Sequence, residues 1–175
     1  PAFQGLVQSQ GGSITPRAVE TVNADRVDCL TWTTLAWSRW MDDRGVMGTS
    51  IDLPAVKNLA KRAVEVDPKY DDGRPYAALG LALALAPKPL KPKLKQAREA
   101  FKQAIELAPN RLTYKVDLAQ YVSAPEGKRK EWSRTLNQVV KASPIDQDPD
   151  LLENRRAIQR ARALLEAGLD ERWKD

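Results

Sequence analysis

An internal repeat is the feature that most constrains the fold of this chain. The segment KRAVEVDPKY (61–70) aligns with KQAIELAPNR (102–111), and this alignment places Pro68 over Pro109. Matching positions lie 41 residues apart. A repeat of this length is typical of stacked helical hairpins, in which each hairpin buries its apolar face against its neighbours.

The second copy of the repeat carries the tetratricopeptide pattern. Small and large residues recur at the spacing at which the two helices of such a hairpin interlock. We therefore predict an all-α fold: a tetratricopeptide-like, right-handed array of about three helical hairpins with a C-terminal capping helix. The residues predicted to pack the repeats are Trp32, Tyr76, Leu79, Gly80, Ala97, Phe101, Ala104 and Pro109.

Helix start and stop signals give the domain organisation. Residues 1–15 are predicted to be a flexible lead-in, with a short helix following Thr15 and Pro16. Residues 16–175 are predicted to form one α-solenoid domain. Its helix pairs are expected at about 26–67, 72–108 and 110–142, and the cap at 148–167.

Three helix ends are predicted from capping residues. In the first pair, a long loop over residues 42–54 precedes a helix with Asp52 as N-cap. In the third pair, Ser123 and Glu126 have capping-box spacing, so the second helix should begin there. The capping helix should start with Asp148 as N-cap and end at Gly168.

An uncharged stretch of 13 residues runs from Pro75 to Pro87. A membrane-spanning helix needs about 20 apolar residues, so this stretch is too short. A helix in the middle of a stack is instead packed on nearly all sides. The lysines that follow are expected on a solvated turn; they are Lys88, Lys91, Lys93 and Lys95.

The composition argues against an enzyme or a metal protein. The chain has no histidine, which removes the commonest general base and metal ligand, and its net charge is +5. The acidic run at Asp146, Asp148 and Asp150 resembles the start of a calcium loop, but Leu151 and Ala157 stand where that loop needs glycine and glutamate. We predict no catalytic residues, no metal, no cofactor and no nucleic-acid partner.

The single cysteine, Cys29, excludes an internal disulfide framework. It is interpreted as a small core or half-buried thiol, with a reactive thiol as the alternative. The arginines of the last helix are interpreted as a solvated face, with a phosphate-binding surface as the alternative. They are Arg155, Arg156, Arg160 and Arg162.

Tryptophans crowd the first predicted helix. Trp37 and Trp40 are rotated from Trp32 by about 140° and 80° around a helix, so one of them should reach the concave face of the array. That face is predicted to bind a ligand or partner; the alternative is that it is buried against the capping helix or another subunit. The predicted concave residues are Trp37, Trp40, Ala77, Leu81, Ala84, Val116 and Gln120.

Several segments in this order resemble the T component of TRAP transporters. The resemblance covers about residues 28–173. Its more specific parts are the tryptophan-rich first helix, the Asp-Leu-Pro entry to the second and the Leu-x-Asn end pattern. The segments are LTWTTLAWSRWMDD, IDLPAVKNLAKRAVEVDPKYDDG, YAALGLALA, AREAFKQAIELAPNRLTYKVDLAQYV and LLENRRAIQRARALLEAGLDERW.

The resemblance implies a non-enzymatic periplasmic protein that works beside the solute-binding P component of a TRAP system. It also implies a homo-oligomer, for example a trimer, and membrane attachment through a lipid anchor upstream of Pro1. The chain begins without methionine, which we take to mean that an upstream segment was removed. The alternative function is a generic tetratricopeptide scaffold that binds a protein or peptide in its concave groove.

Overall fold

The computed structural model of the chain describes residues 2–9, 11–44, 46–85, 91–144 and 148–170, with backbone alone for 46–50, 169 and 170. Every regular element in these ranges is helical, which confirms the all-α prediction. The chain divides into two compact units, residues 1–107 and 108–175. The tetratricopeptide-like array and the single domain stay predictions.

The first unit contains the helices that precede residue 108. Its core gathers Val19, Leu30, Leu59 and Ala63, which are nearly or fully buried. The helices are α1 (Ala2–Ser9), α2 (Pro16–Glu20), α3 (Val27–Arg44), α4 (Val46–Val66), α5 (Arg74–Ala84) and α6 (Leu94–Leu107), with a short 3₁₀ helix at Ala24–Arg26.

The lead-in predicted to be flexible contains α1 and part of the core. Phe3 and Ile14 both pack against the buried cluster of the first unit. These contacts remove apolar surface of the lead-in from water, a long-range effect that the local glycine-rich sequence does not reveal; its flexibility stays a prediction. The short helix predicted after Thr15 is present as α2, and the Thr15 hydroxyl accepts a hydrogen bond from the amide of Ala18 at 3.3 Å.

The loop predicted over residues 42–54 is wrong, because α4 begins at Val46 and Pro54 lies inside it. A proline removes one backbone donor, yet the helix continues because Leu53 and Val56 on either side of it are buried. Asp52 is therefore not an N-cap. Its carboxylate accepts a hydrogen bond from the indole N–H of Trp37 at 3.1 Å.

Two glycines allow α5 and α6 to pack closely. Gly73 has φ of +83° just before α5, and a Cβ there would lie 2.8 Å from Leu107 Cδ1. A Cβ on Gly80 would lie 2.9 Å from the ring of Phe101. The Phe101 ring of α6 thus lies directly on the backbone of α5 at Gly80. Lys91, Lys93 and Lys95 are exposed, and Lys88 lies outside the described residues.

The second unit contains the remaining helices. Its core is built from Leu112, Val116, Trp132, Leu136 and Ala161, all of which are buried. The helices are α7 (Leu112–Leu118), a π-helical turn (Ala119–Ser123), α8 (Arg129–Val140) and α9 (Leu151–Asp170).

The capping box predicted at Ser123 is wrong, because α8 begins at Arg129. Gly127 adopts φ of +71°, a left-handed conformation that interrupts a helix before α8. The Ser123 hydroxyl instead donates to the Glu131 carboxylate at 3.1 Å.

The capping helix also ends differently from its prediction. Gly168 lies within α9, where a Cβ would be 2.4 Å from Trp132 Cη2, so this glycine makes room for an indole ring rather than stopping the helix. α9 begins at Leu151, so it does not start directly after Asp148 as the predicted N-cap requires. The Asp148 carboxylate accepts hydrogen bonds from the amide of Asp150 at 2.9 Å and from the side chain of Asn154 at 2.8 Å.

Candidate functional site

Three of the predicted concave-face residues do not offer an accessible side chain. Ala77 and Leu81 are buried inside the first unit, and Val116 is buried inside the second. Each lies on the apolar side of its helix and is covered by neighbouring helices of its own unit. This corrects their placement on an open binding face. Ala84 and Gln120 are half-buried.

The accessible aromatic residues lie along one side of α3. Trp32 and Trp40 are 49% and 45% exposed, and Ala36 between them is exposed as well. Because these residues are spaced by four, they follow one another along the same side of the helix. We call Trp32, Ala36 and Trp40 the tryptophan face.

Arginines cover one side of each indole in the tryptophan face. The guanidinium of Arg74 lies 4.7 Å from the ring centroid of Trp32, and that of Arg44 lies 5.2 Å from the centroid of Trp40. These cation–π contacts hold the rings in place while leaving much of their surface in water. Trp32, predicted to pack between helices, contacts Arg74 of α5 with one face of its indole and remains about half exposed.

Trp37 has a structural role on another side of α3. It is half-buried, packs against the core cluster of the first unit and donates its hydrogen bond to Asp52. Of the two tryptophans proposed from helical rotation, Trp40 is therefore the accessible one.

A buried ion pair joins the beginning of α7 to the segment before α9. Arg111 is 4% exposed, and its Nε and Nη2 each donate to the Asp150 carboxylate at 2.8 Å. Arg111 also donates to the Tyr114 hydroxyl at 3.0 Å. Asp150 is therefore engaged in an ion pair with Arg111.

Asn154 completes the same junction. Its side-chain oxygen accepts from the amide of Leu112 at 2.8 Å, and its nitrogen donates to the carbonyl of Asn110 at 3.0 Å. These bonds satisfy backbone groups at the start of α7. Sequence reasoning missed this role, although Asn154 belongs to the Leu-x-Asn pattern noted above.

Arg160 departs from the solvated face predicted for α9. It pairs with the Asp117 carboxylate at 2.7 Å, and it donates twice to the side-chain oxygen of Gln120, at 2.9 and 2.7 Å. The side chain of Asp117 is only 3% exposed, so the pair compensates a buried charge. Arg155, Arg156 and Arg162 are exposed.

The first unit contains a cavity of about 580 Å³ that is lined mainly by α5 and α6. Tyr76, Leu79 and Leu83 form much of its wall, while Lys61 and Lys95 also line it. Burial, and then the positive charges of Lys93 and Lys61, lower the pKa of Lys57 near this end of the unit. The cavity thus combines apolar walls with two lysines, Lys61 and Lys95, and one carboxylate, that of Glu99.

A second cavity, of about 620 Å³, follows α1, the α2–α3 connection and α3. Cys29 lines it and is exposed, which corrects the interpretation of this residue as a core or half-buried thiol. The side of α3 that carries Cys29 is not the side that packs into the core.

The family model described as TRAP transporter T-component (TAtT) matches residues 6–170. The chain belongs to this family. The match includes α2 and the second half of α1, which lie upstream of the resemblance recognised in the sequence. No curated protein matches this T component.

Membership makes the chain an accessory component of a transport system. Among the helices that the structure describes, none combines the length and the apolar character needed to cross a bilayer.

Proposed function

We propose that this T component is a non-enzymatic, periplasmic accessory protein that docks with the solute-binding P component of its TRAP transporter. In this role the full-length protein is a lipoprotein, attached to the membrane upstream of Pro1, and it holds a ligand of partly apolar character. Family membership over residues 6–170 supports the transport role.

The observation that carries the docking proposal is the tryptophan face. Trp32 and Trp40 are large aromatic side chains that remain about half exposed, although folding has buried most other large apolar groups of α3. Tryptophan and arginine are the residue types that most often dominate binding energy at protein interfaces. The two arginine-backed indoles are therefore the docking contact that we propose on the first unit.

Copurification tests this proposal. The chain, attached to a resin, is mixed with the P component of the same transporter, and retained protein is measured. A variant with Trp32→Ala and Trp40→Ala should retain at least tenfold less P component, since each such residue contributes about 2 kcal/mol or more when it is a hot spot.

Leu152 provides the matched control, because it is an exposed apolar residue (71%) on α9 of the second unit and does not belong to the tryptophan face. Leu152→Ala should retain the P component at the level of the unsubstituted chain. If the double tryptophan variant retains as much P component as the unsubstituted chain, the tryptophan face is rejected as the docking contact. Absence of binding by the unsubstituted chain would reject P-component docking.

A further inference from the structure

We propose that a patch of lysines on the first unit contacts the anionic head groups of a phospholipid bilayer. This contact goes beyond the proposed docking with the P component, which uses the tryptophan face, and it rests on the proposed function only for the nearness of a membrane. We call this surface the lysine patch; its members are Lys57, Lys61, Lys91, Lys93 and Lys95.

The segment that leads into α6 directs three of these lysines toward water. Lys91, Lys93 and Lys95 are exposed, whereas Pro92 and Leu94 between them are half-buried. The amide of Lys93 donates a hydrogen bond of 3.0 Å to a carbonyl near the end of α5. The alternation therefore presents three lysine side chains to solvent from a segment that is bonded to the packed helices.

Helix α4 adds two lysines to the same surface. Lys61 lines the α5–α6 cavity together with Lys95, and Lys57 lies one turn before Lys61 on α4. Burial, and then the positive charges of Lys93 and Lys61, lower the pKa of Lys57, so these charges are close enough to act on one another. The patch is therefore one cluster, contributed by α4 and by the start of α6.

The carboxylates beside the patch are engaged with other cations. Glu99, which also lines the cavity, pairs with Lys102 at 3.3 Å, and Glu65 of α4 pairs with Arg62 at 3.3 Å. Within the described part of the chain, no lysine of the patch forms an ion pair. The lysines repel one another, and a negatively charged surface placed against them relieves that repulsion.

The residue type of the patch favours a lipid surface over a protein partner. Protein interfaces are enriched in aromatic residues and arginine and depleted in lysine, and the tryptophan face has that enriched composition. Lysine is a point charge on a flexible stem and lacks the planar fork with which arginine binds a carboxylate. Phosphate head groups require no such fixed geometry, and each lysine near an anionic bilayer adds to the attraction.

Vesicle sedimentation tests this contact. The whole purified chain is mixed with vesicles of equal parts phosphatidylglycerol and phosphatidylcholine, or of phosphatidylcholine alone, and the protein that sediments with the lipid is measured. At low ionic strength we expect at least tenfold tighter binding to the anionic vesicles, because only these carry net negative charge. High salt should release the chain, since it screens charges at the surface.

A charge-removing variant tests whether the patch makes this contact. The triple variant Lys61→Gln, Lys93→Gln and Lys95→Gln should bind the anionic vesicles at least tenfold more weakly than the unsubstituted chain. Each lysine near an anionic surface contributes a factor of roughly five, so the loss of three exceeds tenfold.

The matched control removes the same charge from exposed lysines outside the patch. It carries Lys69→Gln, Lys130→Gln and Lys141→Gln. Both triple variants lower the net charge of +5 by three, so a difference between them reports position rather than total charge. The control should bind the anionic vesicles close to the level of the unsubstituted chain.

Four results would overturn the proposal. They are absence of binding to anionic vesicles, equal binding to both kinds of vesicle, equal binding by the two triple variants, and loss of P-component retention by the patch variant while its vesicle binding is unchanged. In the last case the lysines recognise an acidic protein surface instead of lipid.

The vesicles contain no P component, so a failure here is distinguishable from a failure of docking. Vesicle binding together with failed copurification would reject the docking contact alone. Copurification by a chain that does not bind anionic vesicles would reject the lipid contact alone.

Discussion

At the scale of the residue, the positive charge of Lys57 is less favourable in the folded chain than it is in water. It lies partly buried on α4, near Lys61 of the same helix and Lys93 of the segment before α6. Burial and these two charges lower its pKa from the usual 10.5. Between the lowered pKa and 10.5 the unfolded chain binds more protons than the folded chain, so the stability of the fold rises with pH across that window.

Lys57→Gln should therefore raise the thermal midpoint of the ligand-free chain at pH 7. The unfavourable ammonium is fully present there in the original chain and absent from the variant. The advantage should shrink as the pH rises through the lowered pKa toward 10.5, because the original lysine then loses its charge. Thermal unfolding followed by circular dichroism at several pH values measures this trend, with Lys69→Gln as the control. A lower midpoint for Lys57→Gln at pH 7 would contradict the account.

The tryptophans show where residue-scale prediction succeeds and stops. Helical rotation alone predicted that Trp37 and Trp40 leave α3 in different directions, and the structure places Trp40 in water and Trp37 against the core. Rotation angles do not tell which side of a helix meets its neighbours. That choice depends on contacts with other helices, among them α4 and α5.

At the scale of the element, stability of the second unit depends on the junction between α7 and α9. Arg111 and Asp150 form a bidentate pair there, and Asn154 binds the backbone at residues 110 and 112. The apolar stripe of α9 gives this helix its attraction to α7 and α8. The polar junction fixes where along α7 it docks.

Asp150→Asn should lower the free energy of unfolding by about 3 kcal/mol, because the nearly buried Arg111 loses its counter-charge. Urea unfolding of the whole chain measures this change. Glu166→Gln, an exposed change on the same helix, should alter the stability by less than about 0.5 kcal/mol. Similar, small effects of both substitutions would show that the pair does not hold the junction.

Helix existence was predictable from the sequence far better than helix ends. The small and large positions of the repeat predicted partners such as Gly80 and Phe101, and these two residues are in contact. Predictions of helix ends were wrong where tertiary packing overrode a local sequence signal. Pro54 is typical of a helix start, but it lies inside α4, where Leu53 and Val56 beside it are buried. Gly127, through its left-handed backbone, set the start of α8 later than the apparent capping box.

At the scale of the whole molecule, the chain is a T component of a TRAP transporter, an assignment carried by the match over residues 6–170. Sequence reasoning found the family and Trp40, but it did not predict that Trp32 is accessible. Arg74, which backs Trp32, lies 42 residues after it in the sequence. Such clusters become visible only when the helices are assembled.

The most direct test of docking is a site-specific crosslink from the tryptophan face. A photoreactive benzoylphenylalanine at Ala36, which is exposed between Trp32 and Trp40, is irradiated in the presence of the P component, and the products are identified by mass spectrometry. The same group at Ala163, exposed on α9, serves as the control. We predict a crosslink to the P component from position 36 and none from position 163. No crosslink from position 36, or equal yields from both positions, would contradict docking through this face.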